Sequence, residues 1–305
     1  LHYYSEKRFE QYQNMTRQSN DWWDEELLAF GLWHILSSDD FDEYISLPPP
    51  KRKEWYNIYW KKSDPTPTTL INEARNEFER RVHFAHDNFS YYDGLEGFFY
   101  APWDARGEVY IKYGKPVSRK KDAYREFWSY PKNNNLHFLI KPNVTNVFGR
   151  AIFLDNRSVS RSRVDAERMR NDFIFEPRFD FSHNENIDLI KDLAIQVERV
   201  PTNKAVMLQY QMPINQFTVK RKDDLYQVEY VQSYVLYDSN MNEIMRRENI
   251  ETVEDASKRR LVAQKNIEQA IQIDLGPGKY TIALQIKDKW SNKIAVRSID
   301  FNIKS

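Results

Sequence analysis

Two histidines, His83 and His86, stand three positions apart beside Asp87, in a stretch whose apolar spacing predicts a helix. Residues three and four apart share one side of a helix, so these groups could face a common point. The zinc-binding pattern His-Glu-x-x-His is absent, however, and no third ligand is indicated elsewhere in the sequence. We therefore expect no metal site, and we interpret the pair as surface or interface histidines.

Other catalytic patterns are also missing from the sequence. There is no Cys, which excludes a thiol nucleophile, and no Gly-x-Ser-x-Gly turn for a nucleophilic serine. The eight glycines are dispersed, so no phosphate-binding loop is indicated. We expect no catalytic residue and no cofactor. A glycan-processing hydrolase stays open as an alternative, because its paired carboxylates meet only in the fold.

The composition argues against nucleic-acid binding and membrane association, and it favours the binding of proteins or sugars. Lys plus Arg and Asp plus Glu are 45 each among 305 residues, so there is no surplus positive charge to displace counterions from phosphates. The aromatic content is high, with 19 Tyr, 18 Phe and 8 Trp. Such side chains suit protein interfaces and sugar-binding faces. The candidate interaction surface comprises Tyr3, Tyr4, Phe98, Phe99 and Tyr100.

Two basic runs, Arg119–Lys121 and the serine-interleaved Arg157, Arg161 and Arg163, form local patches. These patches could bind acidic glycans, lipid headgroups or a partner protein, and the alternative is that they lie in solvated loops.

No stretch reaches the roughly 18 apolar residues of a membrane helix. The sequence begins at Leu1 rather than Met, and a signal peptide or a lipid-anchored leader are among the alternatives for what precedes it.

Residues 1–90 read as a helical region with about four helices. The clearest helix has a stripe of apolar residues spaced by three and four, and Glu77 and Arg81 fall on its exposed side. Prolines at 65 and 67 punctuate the turn before it. The stripe comprises Ile71, Ala74, Phe78, Val82, Ala85 and Phe89.

Residues 91–185 read as a small mixed α/β domain. Val109 to Gly114 predicts a strand closed by a turn, and further strands are expected over 123–130, 136–141 and 151–154, followed by a short helix over 164–173.

From 186 the chain reads as all β. Alternation predicts an immunoglobulin-like β-sandwich, with strands over 205–213, 225–237, 243–253, 266–275, 279–288 and 294–303.

The run from Trp103 to Pro116, which contains Arg106-Gly107 and Tyr110-Ile111-Lys112-Tyr113-Gly114, resembles the core of the GWxTD-domain family. An upstream Trp, an Asp-Pro-x-Pro-x-Thr run, Asn-Glu and a later Arg-x-x-x-Ala also resemble that family, as does the downstream Phe127-Trp128-Ser129-Tyr130. The naming motif itself becomes Ala101-Pro102-Trp103-Asp104-Ala105. The resembling residues include Trp60, Asp64, Pro65, Pro67, Thr69, Asn72, Glu73, Arg81, Ala85, Trp103, Asp104, Arg106, Gly107, Tyr110, Gly114, Pro116 and Trp128.

The resemblance implies an exported bacterial protein and no established activity. From the residues themselves we expect a structural role for this motif. Gly107 would open the strand, and Arg106 would form an ion pair with Asp104 or Glu73.

The sequence as a whole predicts an α+β protein of three parts: a helical region (1–90), a GWxTD-like mixed domain (91–185) and a β-sandwich domain (186–305). We expect a non-enzymatic, extracytoplasmic bacterial protein that binds other envelope or extracellular proteins. A carbohydrate-binding module is the alternative, alongside the hydrolase.

Overall fold

A computed structural model of the protein describes residues 24–93, 99–123, 125–130, 136–140, 152–153, 177–181, 189–200 and 205–304. The fold mixes helices with antiparallel sheets, as the sequence predicts. The chain divides into two compact units. The first unit comprises residues 1–56 and 75–181, and the second comprises 57–74 and 182–305. The division into three domains stays a prediction.

Four helices occupy the described part of the first ninety residues. Within the first unit, Gly31 brings the first of them close to the fourth, because a Cβ there would lie 2.4 Å from Val82 Cγ2. Phe78 and Val82 are fully buried in this contact. The four helices are α1 (Asp24–Ile35), α2 (Ser38–Ser46), α3 (Pro49–Lys62) and α4 (Glu73–Phe89).

The apolar stripe of α4 is confirmed from Ala74 to Phe89, with two corrections. Ile71 precedes the helix and its side chain is 58% exposed, because the preceding turn delays the helix start to Glu73. Arg81, expected on the exposed side, is buried, since its guanidinium donates to the carbonyl oxygens of Ile111 and Asp180 at 2.9 and 2.8 Å.

The strand predicted for Val109 to Gly114 is wrong: Ala105–Tyr113 forms a helix, α5. The Asp104 side chain caps it by accepting from the backbone N–H of Arg106 at 2.9 Å, and Gly114 ends it at a φ of 75°. Nearly every residue of α5 is buried, so neither a helical nor an alternating pattern shows in the sequence. The Val, Ile and Tyr residues suggested a strand, and the caps and packing override that preference.

A short hairpin, β1 (Tyr91–Asp93) and β2 (Phe99–Ala101), precedes α5. An antiparallel sheet follows it in the order β3-β4-β5-β6. Its strands are β3 (Ser118–Lys121), β4 (Glu126–Tyr130), β5 (Leu136–Ile140) and β6 (Ile152–Phe153). Three of them correspond to predicted strands. The helix predicted over 164–173 lies outside the described residues.

The second unit contains two antiparallel sheets, ordered β12-β8-β7 and β11-β10-β13-β14, with β9 also paired to β10. All six predicted strands are present, and β7 and β9 were not predicted. The strands are β7 (Ala194–Arg199), β8 (Ala205–Pro213), β9 (Lys220–Lys222), β10 (Leu225–Asp238), β11 (Glu243–Asp255), β12 (Asn266–Asp274), β13 (Gly278–Asp288) and β14 (Ile294–Ile303).

One hydrophobic core joins the inner faces of both sheets, with Leu208 on one side and Leu284 on the other, both fully buried. Alternation along each strand produces this arrangement, because every second side chain points inward. The expectation of an all-β region is corrected at two places, the first being a 3-10 helix over Ile214–Gln216 after β8. A short helix, α6 (Lys258–Ala263), links β11 to β12 where the chain changes sheet, and Asp255 accepts from the Ser257 N–H at its start.

Candidate functional site

Residues 62–72, which we call the strap, connect α3 to α4, and their fold is set by their own polar side chains. Asp64 Oδ1 accepts from the Thr66 N–H at 2.9 Å, which makes the turn that the prolines initiate. The Thr69 N–H donates to the Thr66 carbonyl at 2.9 Å, and the Thr69 hydroxyl reaches the Ile71 carbonyl at 2.8 Å. These bonds leave the strap little freedom to change shape.

Further hydrogen bonds close the two ends of the strap on each other. The buried Thr66 hydroxyl donates to Glu73 Oε2 at 2.7 Å. Asn72 Nδ2 donates to the carbonyl of Trp60, whose ring is 2% exposed. The predicted motif residues Asp64 and Glu73 thus both bond Thr66, Asn72 bonds Trp60, and Glu73 does not pair with Arg106.

The strap and the end of α3 are fastened to the outer face of the five-stranded sheet by two side chains that the sequence analysis missed. Tyr237 on β10 donates its hydroxyl to the Pro67 carbonyl at 3.2 Å. Arg246 on β11 donates to the carbonyls of Pro67 and Thr69, both at 3.0 Å, while Glu243 pairs with its other side at 2.8 Å. These partners lie about 170 positions away, so no local signal could have found them.

Apolar packing and one lysine complete this attachment. Ile58 of α3 packs against the cluster of Val235, Tyr237, Met241 and Ala283 on the same face. Lys61 Nζ donates to the Met241 carbonyl at 2.7 Å. Val235 and Ala283 are buried on a face that an isolated sheet would expose, so the packed segment belongs to this unit.

The strap presents an apolar pair to solvent. Leu70 is 89% exposed and Ile71 is 58% exposed, directly after the Thr69 carbonyl that Arg246 holds. Exposed large apolar side chains that stand singly are normal on protein surfaces. Two adjacent ones on a loop with an ordered backbone form a preorganised contact point for an apolar partner surface.

A groove of about 740 Å³ runs beside the strap over the outer surface of β13 and β14. It combines the ring of Tyr237 with hydroxyl, amide and charged groups, which is the lining that polar organic ligands require. Within it, Thr281 donates to Asp300 at 2.6 Å. The lining residues are Lys61, Lys62, Asp64, Pro67, Tyr237, Asp238, Ser239, Met241, Lys279, Tyr280, Thr281, Ala283, Ser298, Asp300, Phe301 and Asn302.

Ionisation of two groups at this site is shifted by burial. Loss of water contact raises the pKa of Asp64 to about 6, against the lowering effect of the Thr66 N–H, and Glu73 raises it further. Burial also raises the pKa of the Tyr237 hydroxyl, so that tyrosine remains a hydrogen-bond donor to Pro67. Asp64 is therefore partly protonated in mildly acidic solution.

The remaining motif residues form a second network, in the first unit. Arg106 pairs with Asp104 at 2.6 Å and with Glu126 at 3.2 Å, so the expected Asp104 partner is present. Glu126 also accepts from Arg119 and from Trp128 Nε1, at 2.5 and 2.9 Å. Burial raises the pKa of Glu126, but these donors outweigh it and hold that pKa below the ordinary value. This network joins α5 to β3 and β4.

The other motif residues lie in α5 or directly after it. Gly107 does not open a strand; it lies in α5, where a Cβ would come 2.3 Å from the Trp103 side chain. Tyr110 stacks on Phe84 with ring centroids 4.4 Å apart, and Gly114 offers its carbonyl to the Tyr130 hydroxyl at 2.9 Å. Pro116 follows the end of the helix.

A buried polar cluster in the first unit was also missed. Trp103 Nε1 donates to His34 Nε2 at 3.1 Å, and Glu108 receives Lys112 Nζ at 3.1 Å with His34 Nδ1 3.8 Å away. Burial raises the pKa of Glu108, and Lys112 opposes that rise. The spacing of Glu108 and Lys112, four apart, was the available helical signal.

Most of the other residues singled out in the sequence lie outside the described part of the chain. Tyr3, Tyr4 and Phe98 lie outside the described residues, as do Arg157, Arg161 and Arg163; Phe99 and Tyr100 form β2, but their side chains are not described. His83 and His86 both lie partly buried on α4, and His86 Nδ1 lies 3.3 Å from the exposed Asp87.

Neither a metal cluster nor a membrane helix is found in the described part of the chain. No group of three His, Asp or Glu side chains there could hold a metal ion. No helix of these residues is long and apolar enough to cross a membrane.

Comparison with known proteins gives little. No protein-family model and no curated protein matches the sequence. Among solved structures, two chains of a glycosyl hydrolase family 2 member from Bacteroides cellulosilyticus match with TM-scores of 0.24 and 0.22 and identities of 12% and 11%. Each alignment covers 36% of this chain and only 14% or 13% of the solved chain. Likenesses at this level carry no argument about activity.

Proposed function

We propose that this protein is a non-enzymatic, exported component of a bacterial cell-envelope or extracellular assembly, and that it acts by binding other proteins. The observation that carries the proposal is the apolar pair Leu70–Ile71, which is displayed by a strap held through Tyr237 and Arg246. A loop that is ordered before binding loses little conformational entropy when it binds. Burying the Leu70 side chain in a partner would contribute about 1.5–3 kcal/mol.

The finer architecture supports a display role. We infer that the second unit is an immunoglobulin-like sandwich, because a three-stranded and a larger antiparallel sheet share one core, as such domains do. We also infer that the chain is a divergent relative of the GWxTD-domain family, whose proteins are mainly exported. The hydrogen-bonded strap and the Asp104–Arg106 pair give the matching residues a common structural purpose.

A site-specific cross-linking experiment tests the binding proposal. The chain has no Cys, so L70C can carry a single photoreactive label. We expect the label to join one envelope protein, and excess unlabelled protein to prevent this. V117C is the matched control, because Val117 is also exposed, at 70%, but lies in the other unit. Equal cross-linking from both positions, or no competition, would contradict the proposal.

The compartment is tested separately. The tagged full-length precursor should be cleaved by protease added to cells whose outer layer is opened, while a cytoplasmic marker survives. Protection equal to that of the marker would contradict the extracytoplasmic location.

A second candidate function is the binding of a glycan in the groove beside the strap. It is favoured by the hydroxyl and amide groups of Ser298 and Asn302, which line the groove on the same sheet face as the Tyr237 ring, since sugars need both hydrogen bonds and a flat apolar face. A glycan array followed by titration calorimetry tests it. Binding should be weakened at least tenfold in S298A/N302A and unchanged in S257A, at an uninvolved helix start.

A further inference from the structure

The longest edge strand of the second unit is β11, which spans Glu243–Asp255. One of its edges pairs with β10 from Tyr226–Asp255 to Tyr237–Glu243. Its other edge faces no strand among the described residues, and most of its side chains are exposed. Such an edge offers unpaired backbone N–H and C=O groups for another strand.

The charges of β11 are unevenly distributed along the strand, because both of its arginines precede Ile250 and only acidic charges follow it. Arg246 and Arg247 lie in its first half, and the acidic residues Glu251, Glu254 and Asp255 lie in its second half. Ile250 lies between them and is 61% exposed. The acidic residues of the first half already have partners: Glu243 pairs with Arg246, and Glu248 accepts from the Ser233 hydroxyl at 3.1 Å.

We propose that two copies of this chain associate by antiparallel pairing of their β11 edges about Ile250. In this register each Ile250 lies opposite its counterpart, and each Arg246 lies opposite Glu254 of the second copy. No two like charges are directly opposite. Edge charges ordinarily prevent strand addition by repelling their own kind. Here Arg246 and Glu254 lie four residues before and four residues after Ile250, so the edge is complementary to itself in this register.

The expected dimer is modest in strength. Pairing from residue 245 to residue 255 forms on the order of 10 backbone hydrogen bonds, since alternate opposed pairs exchange two each. The surface buried by one strand pair is small beside the roughly 1,200–2,000 Å² of a standard interface. The dimer should therefore be in concentration-dependent equilibrium with the monomer.

Sedimentation equilibrium of the full chain, from about 1 to about 500 μM, tests the association. We expect a monomer–dimer equilibrium that E254R weakens about tenfold, because both Arg–Glu pairs become Arg–Arg pairs. E268R is the matched control, since Glu268 is an exposed glutamate on β12 and should leave the equilibrium unchanged. A monomer at every concentration, or equal effects of the two variants, would overturn the proposal.

Disulfide trapping tests the register independently of affinity. Directly opposed residues of antiparallel strands have Cα atoms about 4.5–5.5 Å apart, within reach of a disulfide. The variant I250C should therefore form a dimer on mild oxidation, since the wild-type chain has no Cys. I244C, on the same exposed strand, would place its two copies about 40 Å apart and should not cross-link. Equal cross-linking of both variants would exclude the Ile250-centred register.

Discussion

Removing the Arg81 side chain by the substitution R81M should be among the most damaging single changes in the first unit. Arg81 is 4% exposed, and its guanidinium donates to the Ile111 and Asp180 carbonyls at 2.9 and 2.8 Å. It also pairs with Glu77 at 2.7 Å and lies 4.8 Å from the centre of the Phe179 ring. Loss of these buried charge-assisted bonds leaves two carbonyls without this donor.

The magnitude follows from burial. Breaking a buried ion pair costs about 3–5 kcal/mol, because the groups left behind stay out of water. The matched control is R80M. Arg80 binds the same Glu77, at 2.7 Å, but its side chain is half exposed, so its loss should cost about 1 kcal/mol or less.

Urea unfolding followed by tryptophan fluorescence measures the difference. With a denaturant slope of about 3 kcal/mol/M, R81M should lower the midpoint by about 1 M or more, and R80M by much less. Hydrogen exchange of the α4 and α5 amides should rise in R81M alone. Equal loss of stability in both variants would refute the view that the buried carbonyl contacts, rather than the shared Glu77 pair, make Arg81 important.

Three further predictions concern other sites. In D64N the turn to the Thr66 N–H survives. Burial raises the pKa of Asp64 to about 6, so the wild type gains stability as the pH falls from 7 to 4, and D64N lacks that gain. The unfolding free energy of D64N minus that of the wild type should therefore be about 1 kcal/mol more positive at pH 7 than at pH 4, which means that D64N is relatively more stable at pH 7. G107A should cost about 1–3 kcal/mol by thermal unfolding, because its Cβ would meet the Trp103 ring, whereas G276A, with nothing within 4 Å, should be near neutral. K112M should lower the urea midpoint at pH 7, and by less as the pH is lowered, because burial raises the pKa of Glu108 and protonation removes the buried charge that Lys112 no longer balances.

The sandwich strands were predictable because period-two alternation is a local property. Tyr280, Ile282, Leu284 and Ile286 alternate with polar neighbours, and the structure places this stretch in β13 facing the shared core. The α5 helix was not predictable in this way. Nearly all of its side chains are buried, so its type was decided by the Asp104 cap and by the positive φ of Gly114. Cap geometry is a weaker sequence signal than periodicity.

The sequence of the strap contained a recognisable turn motif, but it did not reveal the role of these residues. Asp64, Pro65 and Pro67 predicted a turn, and the turn is present. Ile71 was assigned to the buried face of α4 by its spacing alone. Its exposure depends on Tyr237 and Arg246, which hold the strap from a distant part of the sequence.

The position of Arg246 couples the strap to the proposed dimer interface. Arg246 holds two strap carbonyls and lies on β11, the strand through which we propose that two copies pair. Its neighbour in the proposed register, Glu254 of the second copy, would add a carboxylate beside a guanidinium that already binds Glu243. Dimer formation should then order Arg246 further and keep Leu70 in its displayed position. A partner that binds Leu70 and Ile71 would thus bind the dimer more tightly than the monomer, and by linkage would strengthen the dimer by the same factor.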